Sequence, residues 1–333
     1  MILTTVSQHH AVFFDNGLIY RIDDLAPGRR YTFYDTEFET LPDLGKRLSC
    51  FATVNDVHFG ETACGGSDGQ NHGPIFKAEK GEDPYPEMMN AAAIDEIKGM
   101  NADVILAKGD LTCDGTQAQY DQFLSFYGGA FGERLHHVRG NHEAYREPVI
   151  ETQKRIAVEL DGVLLLMIDT VRPGLTGGTV YDEDIEWLAD LSENANKPVL
   201  LFGHHQIWDP QTSYRSEDYF GIQPDASEKL ISILADRPSL KGYFSGHTHR
   251  NRARYFPQTG SKPWVEVACV KDFPGIWAEY QVFEGGILQI NHRISHPDAL
   301  KWSEKTKAMY QGSYHDYALG TLSDRCFVIS TET

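Results

Sequence analysis

The stretch Phe51–Gly60, reading FATVNDVHFG, is the point from which the chain is best read. Its first four residues look like the end of a buried strand, apolar or β-branched throughout. The strand runs out into Asp56 and His58. In extended chain, residues two apart point to the same side. One carboxylate and one imidazole are therefore expected to face the same point, as a metal-ligand pair would. Alone, an Asp-x-His triplet means little, because such triplets arise often on solvated loops. Its weight depends on whether other strand ends supply further ligands.

Four more apolar runs end in the same way. DVILAKGD ends in Asp110, and HHVRGNHE carries Asn141 and His142. PVLLFGHHQ carries His204 and His205, and KGYFSGHTHR carries His247 and His249. In open α/β sheets, ligands gather outside the strand ends. Five exits armed with metal-competent side chains are hard to obtain by chance. Strands alternate with helices through residues 49–270, which is an α/β pattern. Closing hairpins around Asp161-Gly162 and Glu284-Gly285-Gly286 predict a mixed sheet.

The 333 residues, 41% of them hydrophobic, suffice for one large domain with extensions or for two domains. Residues 1–48 read as a β-rich N-terminal extension with strands at Ala11–Phe14, Leu18–Ile22 and Arg30–Tyr34. Residues 49–294 form the main domain, and 295–333 a Tyr-rich C-terminal extension. Helices are expected over Pro86–Lys98, Gln117–Tyr127, Asp182–Leu191 and Ala226–Ala235, and a strand over Trp264–Val270. The net charge of −18 weighs against a general nucleic-acid binder. A small anionic substrate stays compatible, because a bound metal reverses the local field. Five scattered cysteines without a CxxC pair suggest a reduced, cytoplasmic protein. No signal peptide or membrane span is evident. The sequence does not speak to oligomeric state.

Taken in order, Asp-x-His, Gly-Asp, Gly-Asn-His, Gly-His and Gly-His-x-His resemble the calcineurin-like metallophosphoesterase family over about residues 50–250. The resemblance implies a four-layer α/β/β/α sandwich of two mixed sheets with a two-metal centre. It implies that Asp56, His58 and His249 hold one metal, that Asn141, His204 and His247 hold the other, and that Asp110 bridges both. Asn141 and His142 would contact substrate. His142 would be catalytic, protonating the leaving oxygen or steadying its charge. The implied reaction is phosphoester hydrolysis by in-line attack of a metal-bridging hydroxide. Imidazole, carboxylate and amide donors without thiolate suit Mn, Fe or Zn.

Arg139–Glu143 reads RGNHE, as in the family's protein serine/threonine phosphatases. Those also carry Gly-Asp-x-Val-Asp-Arg-Gly, where this chain has Gly109-Asp110-Leu111-Thr112-Cys113-Asp114-Gly115. Cys113 stands where an Asp supports the catalytic His, and Asp114 stands where an Arg grips phosphate. A protein phosphatase is thereby disfavoured, and Asp114 and Glu143 become the candidates to support His142. The GDLT and GHHQ stretches and the segment IDTVRPGLTGGTVYDEDIEWL are more similar to the bacterial cyclic-nucleotide and glycerophosphodiester phosphodiesterase branch. The expected substrate is a small phosphodiester, a cyclic nucleotide or similar. The alternatives are a phosphomonoesterase or nucleotide phosphatase, and further off a nuclease or a non-catalytic metal-binding scaffold. His205 is expected to be a supporting or packing residue. His136 and His137 are expected to be structural, and His9, His10, His292, His296 and His315 surface or packing residues. His72, in the Gly-rich loop, is either a substrate contact or a plain loop residue.

Overall fold

The computed structural model describes residues 1–66 and 73–332, so His72 lies outside the described residues. The chain enters through β1 (Ile2–Val6), β2 (Ala11–Asp15) and β3 (Leu18–Ile22), an antiparallel sheet in that order. A hairpin of β4 (Arg30–Phe33) and β5 (Thr36–Glu39) follows. The expected third strand at Arg30–Tyr34 therefore pairs elsewhere, and Ile2–Val6 takes its place. Two of that strand's five side chains are threonines, which hid its apolar pattern. The hairpin turns at Tyr34 and Asp35, both left-handed at φ 51° and 58°. This twist suits a two-residue hairpin, but neither residue is the glycine that usually marks one.

The first large sheet begins with β6 (Arg47–Val54), β7 (Val104–Lys108) and β8 (Leu135–Val138), all parallel. The chain then builds a second sheet from β9 (Arg155–Leu160), β10 (Val163–Ile168), β11 (Val199–Phe202), β12 (Leu240–Ser245), β13 (Arg252–Arg254) and β14 (Trp264–Glu266). It returns to the first sheet with β15 (Ile276–Phe283), β16 (Gly286–Arg293) and finally β17 (Cys326–Ile329). The sheet orders are β17-β16-β15-β6-β7-β8 and β13-β14-β12-β11-β10-β9. Both mix parallel and antiparallel pairs. The expected strand at Trp264–Val270 is shorter, ending at Glu266. From there the chain leaves the ladder and Val270 N–H donates to the Asn55 carbonyl at 3.3 Å.

Side-chain alternation sorts these strands into layers. Phe51 and Leu106 of the first sheet pack against Leu165, Phe202 and Phe244 of the second. Phe51 stacks on Tyr280 at 4.6 Å between centroids, and Phe202 meets both edge-on. Their neighbours Ala52, Val54, Ile105 and Ala107 point the other way, onto helix Tyr85–Gly99 and the helical turns from Gln117 to Phe131. Leu166, Ile168 and Leu201 likewise point outward, onto helices Asp182–Glu193 and Pro224–Asp236. The result is a helix–sheet–sheet–helix sandwich. Helix Tyr85–Gly99 carries Pro86 in its first turn, where the missing N–H costs nothing. It buries Met89, Ala92, Ala93, Ile94 and Ile97, while Met88 is only partly buried and Ala91 is exposed. Among the described residues no helix is long and apolar enough to cross a membrane.

The C-terminal segment is more structured than its composition suggested. Helices Pro297–Thr306 and Tyr314–Leu319 and the short turn Leu322–Arg325 precede β17. Arg325 is buried and ties the two ends of the chain together. Its guanidinium donates to the carbonyls of Leu3, Thr4, Leu319 and Gly320 at 2.7–2.9 Å. Arg325→Ala leaves those buried acceptors unpaired and is expected to cost about 2–4 kcal/mol, measured by chemical denaturation. A loss below ~0.5 kcal/mol would mean that this clamp holds nothing.

Candidate metal centre

All eight side chains expected at the centre are brought together at the same ends of β6, β7, β8, β11 and β12. The backbone does this differently from the expected alternation along a strand. β6 ends at Val54, and Asp56 and His58 adopt left-handed conformations at φ 51° and 47°. Asp110, His247 and His249 do the same, at φ 50°, 67° and 54°. Non-glycine residues rarely occupy this region, and such strain concentrates at functional sites. Here crossed backbone hydrogen bonds hold it. The N–H groups of Val57 and His58 both donate to the Asp110 carbonyl, at 3.0 and 3.1 Å.

Two glycines let the exits close up. A Cβ on Gly140 would stand 2.2 Å from Asp110 Oδ1, and one on Gly246 would stand 2.6 Å from Asp56 Oδ2. Gly246→Ala is therefore expected to push Asp56 aside. The expected loss is about 1–3 kcal/mol of stability, together with weaker metal uptake. Calorimetry and metal analysis check both, and normal uptake would show that Asp56 is not held there by close packing.

One donor set is explicit in its lone pairs. His204 Nδ1–H donates to the Lys108 carbonyl at 2.9 Å, which turns Nε2 inward. His247 Nε2–H donates to the Phe220 carbonyl at 2.7 Å, which turns Nδ1 inward. These two nitrogens lie 3.2 Å apart. Asn141 Oδ1 is 3.0 Å and Asp110 Oδ2 3.3 Å from His204 Nε2. The Asn141 amide is oriented by its Nδ2, which donates to the Tyr145 hydroxyl at 2.5 Å. Four ligand-type atoms thus converge on one point, an arrangement that calls for a cation. Burial opposes charge on His204, yet Asp110 and Asp56 raise its pKa to about 9. A proton supplies positive charge there until a metal ion displaces it.

The second set is Asp56, His58 and His249, again with Asp110. His249 Nε2 lies 3.4 Å from Asp56 Oδ1, and His58 Nε2 lies 3.6 Å from Asp110 Oδ2. Asp56, His58, Asp110 and His249 each offer a donor atom within one small sphere. His58 is buried and, among the described residues, neither ring nitrogen is hydrogen-bonded, a costly state that ligation would relieve. Burial, followed by His142, lowers its pKa to about 4, so it is neutral and ready to ligate. Among the described residues, no lysine or arginine forms an ion pair with Asp56 or Asp110. The residues present therefore fit two cations sharing Asp110. The nearby thiols stay out of the set. Burial pushes Cys113 up to about 12, and Cys269 donates its S–H to Asp272 Oδ1 at 3.0 Å.

His142 stands at the edge of this cluster, with Nε2 3.9 Å from Asp110 Oδ2. Its support is neither Asp114 nor Glu143. Nδ1–H donates to the backbone carbonyl of Cys113 at 2.5 Å, so the residue that replaces the usual Asp still holds the ring, through its main chain. Glu143 is buried and accepts instead from the N–H and hydroxyl of Thr112 and from Gly140 N–H. Asp114 faces Gln119 and Arg146. Arg139 of the RGNHE stretch turns away to pair with Asp169 at 2.8 Å. His205 has both nitrogens engaged, by the Thr170 hydroxyl and the Thr176 carbonyl, and so packs rather than ligates. His137 bonds the Tyr120 hydroxyl at 2.7 Å. Sequence reading missed the carbonyls of Lys108, Phe220 and Cys113, because a main-chain acceptor has no residue signature. Tyr145 could have been suspected from its place four residues after Asn141.

A model of the calcineurin-like phosphoesterase family matches residues 51–251. The chain is 27% identical over 155 residues to the 3',5'-cyclic adenosine monophosphate phosphodiesterase CpdA of Pseudomonas aeruginosa, covering 44% of this chain and 54% of that protein. It is 24% identical over 172 residues to a probable cyclic nucleotide phosphodiesterase of a Synechococcus strain, covering 48% and 63%. The aligned part spans less than two thirds of the length of the curated relatives it matches. Among solved structures, a dimetal phosphatase from Danio rerio superposes with a TM-score of 0.58 at 12% identity, over 86% of this chain and 100% of that one. A purple acid phosphatase from yellow lupin gives 0.50 at 13% identity, over 84% and 60%. These likenesses agree with the sandwich described above. The chain belongs to the calcineurin-like phosphoesterase family.

Proposed function

We propose that the chain hydrolyses a small phosphodiester, a cyclic nucleotide or similar, at a centre of two metal ions drawn from Mn, Fe and Zn. The observation that carries this reading is the convergence of seven donor side chains into two sets that share the Asp110 carboxylate. Asp56, His58 and His249 would hold one ion, and Asn141, His204 and His247 the other. When bound, such a pair neutralises phosphoryl charge and acidifies water. The chain's own residues do the rest. Carbonyls of Lys108 and Phe220 fix the tautomers of His204 and His247. The Cys113 carbonyl holds His142 so that Nε2 can deliver a proton to the leaving oxygen or steady phosphoryl charge. Asn141, fixed by Tyr145, would contact the substrate beside His142.

The diester preference is supported by the GDLT and GHHQ stretches and by relatives named as cyclic nucleotide phosphodiesterases. The charge of −18 weighs against a nucleic-acid substrate. We place the catalytic unit at residues 49–294, flanked by the two extensions, in a reducing cytoplasmic setting compatible with five free thiols. The test is a turnover panel of mono- and diesters, with the protein loaded in turn with each metal. Diester hydrolysis above monoester hydrolysis is expected, and the reverse order would overturn the preference.

A further inference from the structure

Beside the donor sets lies a cleft of about 510 Å³ that the chemistry above does not use. Its lining includes Phe220, His247, His249, Tyr310, Tyr314 and Tyr317. We propose that this cleft is a stacking subsite for the nucleobase of a nucleotide phosphoester whose phosphate sits at the metal centre. The proposal rests on the phosphoesterase reading for where the phosphate goes.

Three observations carry it. First, the cleft and the donor sets share His247 and His249, so an occupant reaches the centre without leaving the cleft. Second, its walls are aromatic and tied to the strand exit that bears those histidines. Phe220 accepts from His247 through its carbonyl, and its ring lies 5.6 Å from the imidazole at 32°. Tyr317 donates its hydroxyl to the carbonyl of Thr248, the residue between the two histidines, at 3.0 Å. The Arg250 guanidinium, 5.1 Å from the Tyr317 ring centre, braces it further. Tyr314 is anchored by Asp272 at 2.9 Å and stacks on Tyr317 at 25°. Third, Phe220 and Tyr317 remain 44% and 42% exposed despite these ties. Fixed aromatic rings left partly open to water are what a planar base covers on binding, and their fixation lowers the entropic cost of doing so.

The lining also decides what the occupant is not. Among the described residues it contains no lysine or arginine, so a second phosphate finds no partner there. A plain alkyl ester would leave the ring faces uncovered. A nucleobase satisfies both constraints, and base–aromatic stacking is tolerant of base identity. Ser313 and Thr248 complete the lining.

The experiment is equilibrium binding of adenosine 5'-monophosphate and of ribose 5-phosphate to the metal-loaded protein. The two ligands share phosphate and sugar and differ in the base. Wild type is expected to favour adenosine monophosphate by about 10- to 100-fold. Tyr317→Leu and, separately, Tyr310→Leu should each remove most of that preference and leave ribose 5-phosphate affinity within about two-fold. Each variant removes a different ring of the lining, so misfolding of one leaves the other to decide. Equal affinity of wild type for both ligands would overturn the proposal, as would variants that weaken both ligands alike. Failure of the diester reading looks different. It appears as absent diester turnover with the base preference intact.

Discussion

Asp110→Ala is expected to strip the centre of metal and to lower phosphoester turnover by ~10³-fold, about 4 kcal/mol. Asp110 is the only side chain among the described residues that reaches both donor sets. Its Oδ2 lies 3.3 Å from His204 Nε2 and 3.6 Å from His58 Nε2, while Oδ1 accepts from His142 N–H at 3.1 Å. The carboxylate is buried, and His204 and His142 hold it ionised far below the usual carboxylate range against the cost of burial. Removing it takes one negative charge from each set at once and would leave two bound dications to repel one another. Asp56→Ala, by contrast, weakens one set. Metal analysis of both variants, with turnover of an aryl phosphodiester, distinguishes the two cases. Asp110→Ala with two ions per chain would show that the carboxylate does not bridge.

His142→Ala is expected to keep both ions and to lose activity in a way that depends on the leaving group. Its imidazole is held by the Cys113 carbonyl and lies 3.9 Å from Asp110, farther than His204 or His58. A poor alkoxide leaving group needs a proton, and its hydrolysis should fall by roughly 10²–10⁴, the usual worth of general acid catalysis. An activated aryloxide needs little help and should fall much less. Equal losses on both substrates would instead assign His142 to the phosphoryl oxygens, and loss of metal would assign it to the donor sets. A neutral carbonyl also holds the ring without the charge an aspartate would lend. Cys113→Ala keeps that carbonyl and is expected to preserve most activity.

The chemistry at the strand exits was legible because it is written in side chains. Asp56, His58, Asp110, Asn141, His142, His204, His247 and His249 each follow an apolar run, and the runs mark where strands stop. The layered sandwich was legible through the family resemblance rather than through spacing, which gave only alternating strands and helices. What escaped is written in the main chain. The left-handed turns at Asp56 and His58 carry no glycine, so extended chain was the natural expectation there. The carbonyl of Cys113 holds His142 whatever side chain the residue bears. The tyrosines at 310, 314 and 317 read as a mixed tail until β17 and Arg325 fasten that segment against the body of the protein.

The central claim is that two ions sharing Asp110 make this chain a phosphoesterase. It is tested most directly by titrating metal-free protein with Mn, Zn or Fe while following hydrolysis of an aryl phosphodiester. Activity is expected to rise from near zero and to reach its plateau at two equivalents per chain. Full activity without added metal, or a plateau at one equivalent, would contradict it.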